Sequence, residues 1–372
     1  MEPTNYQQCK RCVMDTTDSA IEFDGNGYCN HCTGYFAKAA VQVYQENKGK
    51  KALDILVKKM KVSGRGKKYD CLLGISGGID SCYAACIIKK LGLRALAVHL
   101  DNGWDSDISV KNIKHIIEKS GFDYQSYVLN WEEFKDLQLS FLKASVPEIE
   151  TPTDIAIPAA LHKIASRHKI KFIISGGNFV TEGILPESWH YNAKDLTYLK
   201  NIHKKFGSGK LNKFPLFGYK QEIGYKYIYG IRTIYLLNYI PFSKTAAMKF
   251  LEETLDWKYY GGKHYESIYT RFVQSYILPK KFNIDYRKAT FSTQICAGEI
   301  TRIAAMEDLN KLPYDPVKAE LEKGYFCKKL GISLDEFERI MAAPVKTYRD
   351  YPNARKKLEY IYKIYRKINN RK

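Results

Sequence analysis

The sequence predicts an α/β fold in which helices cover both faces of a parallel sheet, the doubly wound arrangement. Short apolar segments alternate with helical ones from residue 69 to residue 175. A glycine-rich turn joins the first apolar segment to a helix, and polar clusters follow several of these segments. Strands that alternate with helices are typical of parallel sheets. A cysteine-rich N-terminal module and a mainly helical C-terminal region are expected to flank the sheet.

The predicted strands are short and apolar. The first spans 69–75, and the helix after it runs from Ser81 to Leu91 and is closed by Gly92. The elements predicted after that helix are strand 95–100, helix 110–119, strand 124–129, helix 158–168 and strand 171–175, with the apolar run 233–240 as a candidate fifth strand. Ligands of such sheets bind beyond the carboxyl ends of the strands. The polar clusters at those ends are 76–81, 101–104 and 176–178.

Composition and patterning set the outer limits of the interpretation. The chain has 372 residues and 45% hydrophobic content, enough for two or three globular domains. It contains no run of 18 apolar residues and no export signal at its N-terminus, so we expect a cytoplasmic protein without a membrane span. The predicted units are a zinc-ribbon module (1–40), a helix and linker (41–68), a nucleotide-binding domain (69–240) and a mainly helical region for substrate or partner (241–372).

The formal net charge of +19 predicts a surface that attracts anions. Part of this charge is local, because residues 354–372 carry eight basic residues and one acidic residue, with apolar residues at helical spacing. Such a helix could bind nucleic acid, a membrane surface or an acidic partner. A terminal helix with one docked and one solvated face explains the same pattern.

The turn Ser76-Gly77-Gly78-Ile79-Asp80-Ser81 is the most informative motif of the chain. Glycines let backbone N–H groups approach an anion, and the N-terminus of the next helix adds partial positive charge. The spacing is not that of the Walker loop. We therefore predict a phosphate site, made by Ser76, Gly77, Gly78, Asp80 and Ser81 and joined by Gly176 and Gly177 after the fourth strand. A generic glycine-rich turn is the alternative.

The first forty residues contain two pairs of cysteines. Cys9 and Cys12 are separated by sixteen residues from Cys29 and Cys32, the spacing of a four-thiolate zinc ribbon. Four cysteine ligands leave no open position, so the metal is expected to be structural. Iron in a rubredoxin-like site remains the alternative. His31 lies within the second pair and is expected to be a bystander.

Three acidic residues are candidates for contacts with nucleotide or magnesium. Asp101 follows the second strand, where it could contact the ribose or a metal; a simple Asp-Asn-Gly turn is the alternative. Asp154 precedes the predicted helix at 158, so it is either a helix N-cap or a magnesium ligand. Glu182, after the fourth strand, has the same two interpretations.

A second cluster, between residues 261 and 288, is basic and begins with a Gly-Gly pair. Positive groups held in place there would stabilise the charge on a departing pyrophosphate. Lys263, Arg271 and Lys281 are the candidates for this role. A solvated basic face is the alternative.

The motifs together resemble a known family. The Ser-Gly-Gly-x-Asp-Ser turn resembles the PP-loop of the ATP pyrophosphatases. Together with the cysteine module and the sequence Gly-Gly-Lys-His-Tyr-Glu-Ser at 261–267, it is similar to the bacterial N-acetyl sugar amidotransferases of the WbpG/PseA type. The resemblance covers nearly the whole chain. It implies a PP-loop (HUP-like) fold and the use of ATP, Mg²⁺ and a structural Zn²⁺.

The resemblance also implies a reaction. The oxygen of a sugar acetamido group would attack the α-phosphate of ATP and release pyrophosphate, and ammonia would then displace AMP to give an acetamidino group. Asp80 would assist magnesium, and no side-chain nucleophile is required. The substrate would be a nucleotide-linked or nonulosonic sugar in the biosynthesis of surface polysaccharide (O-antigen of lipopolysaccharide) or nonulosonic acid.

Ammonia requires a source. Position 2 is Glu2, which excludes an N-terminal-nucleophile glutaminase in this polypeptide, and no other cysteine lies in a Gly-x-Cys-x-Gly context. The resemblance therefore implies a separate glutaminase and a cyclase-like subunit. The main alternative function is tRNA modification of the thiolation or lysidine type, although nucleic acid is not the expected partner. A zinc-ribbon scaffold that senses ATP is a further, non-enzymatic alternative.

Overall fold

The computed structural model describes residues 6–44 and 46–369, so Glu2 and the last three residues of the basic tail lie outside the described residues. The strands are β1 Cys71–Gly74, β2 Ala95–Asp101, β3 Asp123–Val128, β4 Phe172–Ser175 and β5 Arg232–Tyr235. The helices are α1 Asn30–Gln42, α2 Glu46–Ser63, α3 Ile79–Lys90, α4 Asp107–Ser120, α5 Trp131–Lys143, α6 Thr151–Arg167, α7 Phe179–Glu182, α8 Leu196–Phe206, α9 Tyr219–Ile223, α10 Lys244–Leu255, α11 Ile268–Phe272, α12 Leu278–Phe282, α13 Tyr286–Cys296, α14 Arg302–Leu309, α15 Pro316–Leu330, α16 Leu334–Ala342 and α17 Arg355–Asn369. Shorter 3₁₀ helices span Glu187–Trp189, Leu236–Tyr239 and Tyr348–Asp350, and π-helical turns span Gly224–Ile228 and Val273–Ile277.

The strands form one parallel sheet in the order β3-β2-β1-β4-β5. In β1, Leu72 is in register with Leu96 on one side and with Ile173 on the other. The chain therefore runs outward from β1 in both directions. The crevice beyond β1 and β4 is the switch point at which doubly wound sheets bind ligands.

Side chains of β1 alternate between two cores. Leu72 packs with Ile164 of α6 on one face, whereas Leu73 packs with Cys82 of α3 and Ile113 of α4 on the other. Alternation with a period of two is what a strand buried on both faces requires. The doubly wound parallel sheet predicted from the sequence is confirmed.

Some element boundaries differ from those predicted. The fifth strand ends at Tyr235, and the remaining apolar residues form a 3₁₀ helix because the chain turns back there to contact α2. Helix α6 begins at Thr151, with Pro158 inside it, whereas the sequence predicted a start at Pro158. Helix α5 was not predicted. The mainly helical region after residue 241 is confirmed by α10 to α17.

The cysteine module packs against the C-terminal region instead of standing apart. The N–H of Val13 donates to Ser292 Oγ at 3.2 Å, and the Lys288 ammonium lies 2.5 Å from Asp15. Both partners belong to α13. Within the described residues, no helix is both long and apolar enough to cross a bilayer.

Candidate functional site

A cavity of about 1110 Å³ opens beyond the carboxyl ends of β1, β2 and β4. Its walls are contributed by segments far apart in sequence: 74–81, 147–157, 175–193, 260–267, 286–294 and 348–362, with Lys244. The cavity therefore lies where the fold predicts ligand binding. It is bounded both by the sheet domain and by the C-terminal helices.

The glycine-rich turn forms one wall as a loop held by its own serines. Ser76 N–H donates to Ser81 Oγ at 3.2 Å, and Gly78 N–H donates to Ser76 Oγ at 3.3 Å. Helix α3 starts directly after Gly78, which has no side chain to cap it. The first turn of α3 thus presents its dipole and N–H groups to the cavity, as an anion site requires.

Two glycines are required by close approach. A Cβ on Gly176 would lie 2.6 Å from Ser81 N, so the loop after β4 can touch the start of α3 only without a side chain. Gly77 has φ +80°, and a Cβ there would lie 2.5 Å from Ser109 O. Gly77 does not line the cavity; its carbonyl accepts from Trp257 Nε1 at 2.9 Å and so fixes the loop.

Asp80 lies at the base of the cavity. Its Oδ2 accepts from Thr181 Oγ1 at 3.3 Å, whereas Oδ1 is buried without a partner in the described structure. Burial and the nearby Glu182 carboxylate raise the pKa of Asp80 to about 6, opposed by Lys263 and other cations. A buried, unpartnered carboxylate oxygen beside a phosphate site fits a Mg²⁺ ligand.

Of the three cations predicted to bind pyrophosphate, Lys263 is the one that lines the cavity. Its Nζ donates to Thr181 O at 2.7 Å and lies 3.7 Å from Glu182 Oε1. Glu182 is thus a cavity residue and lies also 3.8 Å from His264 Nε2. Its alternative role as an N-cap is wrong, because Asn178 caps α7.

Three residues around the loop were not predicted from the sequence. Ser76 Oγ donates to Glu266 Oε1 at 3.3 Å, Ile79 N–H donates to the Tyr260 hydroxyl at 3.3 Å, and Lys244 lines the cavity. Glu266 Oε2 is buried and has no hydrogen-bond partner among the residues that the structure describes. Burial lowers the pKa of Lys244, and Asp80 opposes that effect. The Gly-Gly-Lys-His-Tyr-Glu-Ser segment was noted for its cations, but its carboxylate is the group that reaches the loop.

The cavity-lining residues 76, 78–81 and 176–177, with Lys244 and Lys263, form what we call the phosphate wall. A second wall carries carboxylates, and we call Glu148, Glu150 and Asp154 the acid wall. Burial raises the pKa of Glu148 to about 7. Asp154 is open to the cavity, but desolvation by the protein around the cavity and neighbouring Glu150 raise its pKa to about 7, opposed by His264. Asp154 lies inside the first turn of α6, where the cap residue is Glu150, so the prediction that Asp154 is an N-cap is wrong. Its side chain faces the cavity.

Two of the predicted cations lie away from the cavity. Arg271 forms an ion pair of 2.7 Å with Glu322 of α15, and Lys281 Nζ donates to the carbonyls of Ile340 and Ala343 at the end of α16. These contacts hold helices together. Asp101 accepts from Gly103 N–H at 2.9 Å, closes a turn and does not line the cavity. The predicted roles of all three in binding ATP or pyrophosphate therefore find no support in their positions.

The four cysteines of the N-terminal module converge as predicted. They are fully buried, their sulfur atoms lie within 4.8 Å of one another, and the Cys9–Cys32 and Cys12–Cys29 separations are 3.7 and 3.5 Å. Backbone N–H groups of Cys12 and Cys29 point at Cys9 Sγ. His31 pairs with Asp18 at 2.5 Å and takes no part. This is a donor set for a tetrahedral thiolate-bound metal, zinc or iron.

The sheet topology, the Ser-Gly-Gly-x-Asp-Ser loop at the switch point and the cavity beyond it are the features expected of a PP-loop fold. Residues 266–368 match the family model described as "LPS biosynthesis protein WbpG-like, C-terminal domain". The resemblance recognised in the sequence is confirmed over this region. The match starts at Glu266, the residue that contacts the phosphate loop.

Curated relatives match shorter stretches. The tRNA(Ile)-lysidine synthase of Chlamydia pneumoniae is 33% identical over 91 residues, 24% of this chain and 27% of the relative. The tRNA-specific 2-thiouridylase MnmA of Helicobacter hepaticus is 27% identical over 152 residues, 40% of this chain and 42% of the relative. The chain therefore spans less than half the length of these relatives.

Solved structures resemble the chain weakly. NMN synthetase from Francisella tularensis has a TM-score of 0.30 at 14% identity and covers 58% of this chain and 98% of its own. The U34-tRNA thiolase NcsA from Methanococcus maripaludis, solved with its [4Fe-4S] cluster, has a TM-score of 0.33 at 16% identity. The match covers 91% of this chain and 90% of the thiolase. TM-scores this low support no argument about function.

Proposed function

We propose that this protein is an ATP-dependent amidotransferase that converts the N-acetyl group of a sugar to an acetamidino group. The carrying observation is that the cavity joins a PP-loop to the region that matches the WbpG-like model. Glu266, at the start of that region, contacts Ser76, and Tyr286 and Thr290 of the same region also line the cavity. ATP and a second substrate would therefore meet between the two parts.

The phosphate wall would hold the β- and γ-phosphates. Backbone N–H groups at the start of α3 and the ammonium groups of Lys244 and Lys263 would neutralise their charge. Asp80 and Glu266 would hold Mg²⁺, since each has a buried oxygen that no group in the described part of the chain hydrogen-bonds. When bound, Mg²⁺ would offset phosphate charge.

The chemistry needs positioning more than a side-chain nucleophile. The substrate amide oxygen attacks the α-phosphorus, the bond to the bridging oxygen breaks, and pyrophosphate leaves toward the phosphate wall. Ammonia then adds to the imidate carbon, and AMP departs with the electron pair of the C–O bond. The described cavity wall includes no cysteine, which agrees with a route that forms no thioester or thiolate adduct.

Ammonia is proposed to come from a separate glutaminase with a cyclase-like subunit, in the cytoplasm. The product would enter the biosynthesis of surface polysaccharide or of a nonulosonic acid. The description of the matched family as an LPS biosynthesis protein supports this proposal.

The test is sugar-dependent release of pyrophosphate. The full chain is incubated with Mg-ATP, ammonium and a nucleotide-linked diacetamido sugar, and in parallel with a nonulosonic acid that carries an acetamido group. We expect pyrophosphate and AMP to appear in equal amounts with one of these sugars and not without it. Release that does not depend on either sugar would contradict the proposal.

A second candidate is a tRNA-modifying enzyme, favoured by the identity to the lysidine synthase and to MnmA. Cys82 is buried in an apolar core beneath the phosphate loop, and burial raises the pKa of its thiol. It is therefore poorly placed for sulfur transfer. A tRNA shift assay at several salt concentrations tests this candidate: tight binding that weakens steeply with salt would favour it over the sugar substrate.

A further inference from the structure

The acid wall is not among the residues proposed above to hold the phosphates and Mg²⁺. Glu148 and Glu150 belong to the segment before α6, Asp154 lies one helical turn after Glu150, and all three line the cavity. In a chain with a net charge of +19, none of the three forms an ion pair within the described residues. Carboxylates that lie close together raise each other's pKa and favour a positively charged ligand. His264, which lines the same cavity, opposes this effect on the pKa of Glu150 and Asp154.

The hydrogen bonds of the acid wall come from neutral groups. Tyr198 donates its hydroxyl to Glu148 Oε2 at 3.1 Å, and Gln274 Nε2 donates to Glu150 Oε2 at 2.8 Å. These donors orient the carboxylates without pairing them with a positive charge, and His264 is the nearby group that can carry one. Asp154 is the most open of the three toward the cavity. A ligand that enters this part of the cavity thus meets negative charge held in place.

A separate observation also indicates a ligand here. Trp189 lines the same cavity and is 2% exposed, yet its indole Nε1 has no acceptor among the described residues. Its ring stacks on Tyr286 at 5.8 Å with 14° between planes. Burial and all three carboxylates raise the pKa of Tyr286, so the aromatic pair lies beside the acid wall. A buried donor normally has a partner, and aromatic faces attract cations.

We propose that Glu150 and Asp154, beside the Trp189–Tyr286 pair, form the binding site for the nitrogen nucleophile as ammonium and take the proton that converts it to ammonia. This inference rests on the proposed amidotransferase function. The unused indole N–H would donate to an oxygen of the bound second substrate, next to the ammonium.

The spacing of the acid-wall carboxylates favours ammonium over a divalent metal as the ligand. Among the described residues, only the four cysteines form a group of three or more potential metal ligands whose ligand atoms lie within 4.8 Å of one another. The carboxylates of the acid wall are therefore not close enough together to form a metal site. Ammonium needs fewer converging oxygens, because it donates hydrogen bonds of about 2.8 Å and also binds aromatic faces.

The proton balance closes within the site. Ammonium gives one proton to a carboxylate and becomes ammonia, whose lone pair forms the new C–N bond. The amide N–H proton is released to water when the neutral imidate forms. AMP then leaves with the electrons of the C–O bond, and the amidinium product carries the three protons of ammonia. The carboxylic acid then returns its proton to water. The raised pKa of Asp154, about 7, suits a group that accepts a proton from ammonium.

Two measurements on the full chain test the inference. In the first, ¹⁵N-labelled ammonium is titrated with protein and its NMR line width is followed, which requires no turnover. We expect broadening with the wild type, reversed by unlabelled ammonium, and at least tenfold weaker binding in Glu150→Gln and Asp154→Asn. Equal broadening in all three proteins, or none in the wild type, would overturn the proposal.

The second measurement separates this inference from the proposed function. ATP–pyrophosphate exchange with the sugar reports the first half-reaction, and amidine formation with varied ammonium reports the second. Both variants should keep the exchange rate and raise the KM for ammonium at least tenfold. A raised KM for sugar with an unchanged KM for ammonium would assign the acid wall to the sugar and overturn the inference. Glu132→Gln, a first-turn acid of α5 outside the cavity, is the matched control.

Discussion

The phosphate wall and the acid wall differ in how they balance charge. Around the phosphate wall, the carboxylates of Asp80, Glu182 and Glu266 lie near Lys263, Lys244 and His264. The acid wall has carboxylates whose hydrogen bonds come from a hydroxyl and an amide. The first wall is therefore close to neutral before a ligand arrives, whereas the second gains from a cation. One cavity can thus accept a phosphate chain and a nitrogen nucleophile side by side.

The largest expected effect concerns the metal module, which contacts the acid-wall side of the cavity through α13. Cys12→Ser should remove the bound metal, and thiolate sites contribute on the order of 10 kcal/mol to folding of their modules. Because the module supports Tyr286 and Thr290, we expect the KM for the second substrate to rise more than the Kd for ATP. Metal content by mass spectrometry and substrate titrations measure this.

Cys86→Ser, a change on α3 outside the cluster, is the control and should retain the metal. An equal weakening of ATP and second-substrate binding in Cys12→Ser would show that the module does not act on one wall alone. The metal analysis also decides between zinc and iron.

The next effect tests the phosphate wall. Asp80→Asn removes the charge of the buried carboxylate, and we expect the rate of pyrophosphate release to fall on the order of 10²- to 10³-fold. Binding of ammonium by the acid wall should be unchanged. Asp107→Asn, which changes a first-turn acid of α4 outside the cavity, should keep the rate. A loss below tenfold in Asp80→Asn would argue against a role in charge stabilisation.

A smaller effect concerns the stability cost of the acid wall. Glu148 is 7% exposed, and burial raises its pKa from 4.5 to about 7. The folded state then holds the proton longer than the unfolded state, so the free energy of unfolding falls as pH rises from about 4.5 to 7. In Glu148→Gln, the decrease in the free energy of unfolding between these pH values should be smaller by up to about 3 kcal/mol. Urea unfolding at pH 5 and pH 8 measures it; identical pH slopes would contradict the assignment.

The smallest effect separates structural cations from those of the phosphate wall. Lys281→Ala leaves the carbonyls at the end of α16 without their donor, which should lower the free energy of unfolding by about 1 to 3 kcal/mol. Pyrophosphate release should remain at the wild-type rate. Thermal unfolding and the release assay check both statements. A large loss of rate with unchanged stability would return Lys281 to the active site.

Local patterns account for what the sequence predicted well. The phosphate loop and the cysteine pairs are contiguous motifs whose geometry depends on glycine, on thiols and on the following helix. The central strands were readable because they are buried on both faces and so are continuously apolar. The matched region near residue 266 was recognised for the same reason, as a short motif.

The rest depends on contacts that spacing does not encode. In the sequence, Arg271 and Lys281 look like Lys263. In the fold they differ, because Arg271 pairs with Glu322 and Lys281 donates to a carbonyl at the end of α16. Glu148 and Glu150 precede a helix whose start was misplaced because Pro158 lies within it. The acid wall forms only when the packing of α6, α8 and α13 brings these residues together.

The attachment of the cysteine module to α13 has a consequence for the order of folding. Val13 and Ser292 are 279 residues apart, and Arg302 reaches the carbonyl of Cys12 across 290 residues. During synthesis the module emerges first, long before its docking helix exists. Metal capture can fix its local shape in that interval, but its apolar face stays uncovered until α13 has left the ribosome. Docking should therefore be a late and slow step of folding.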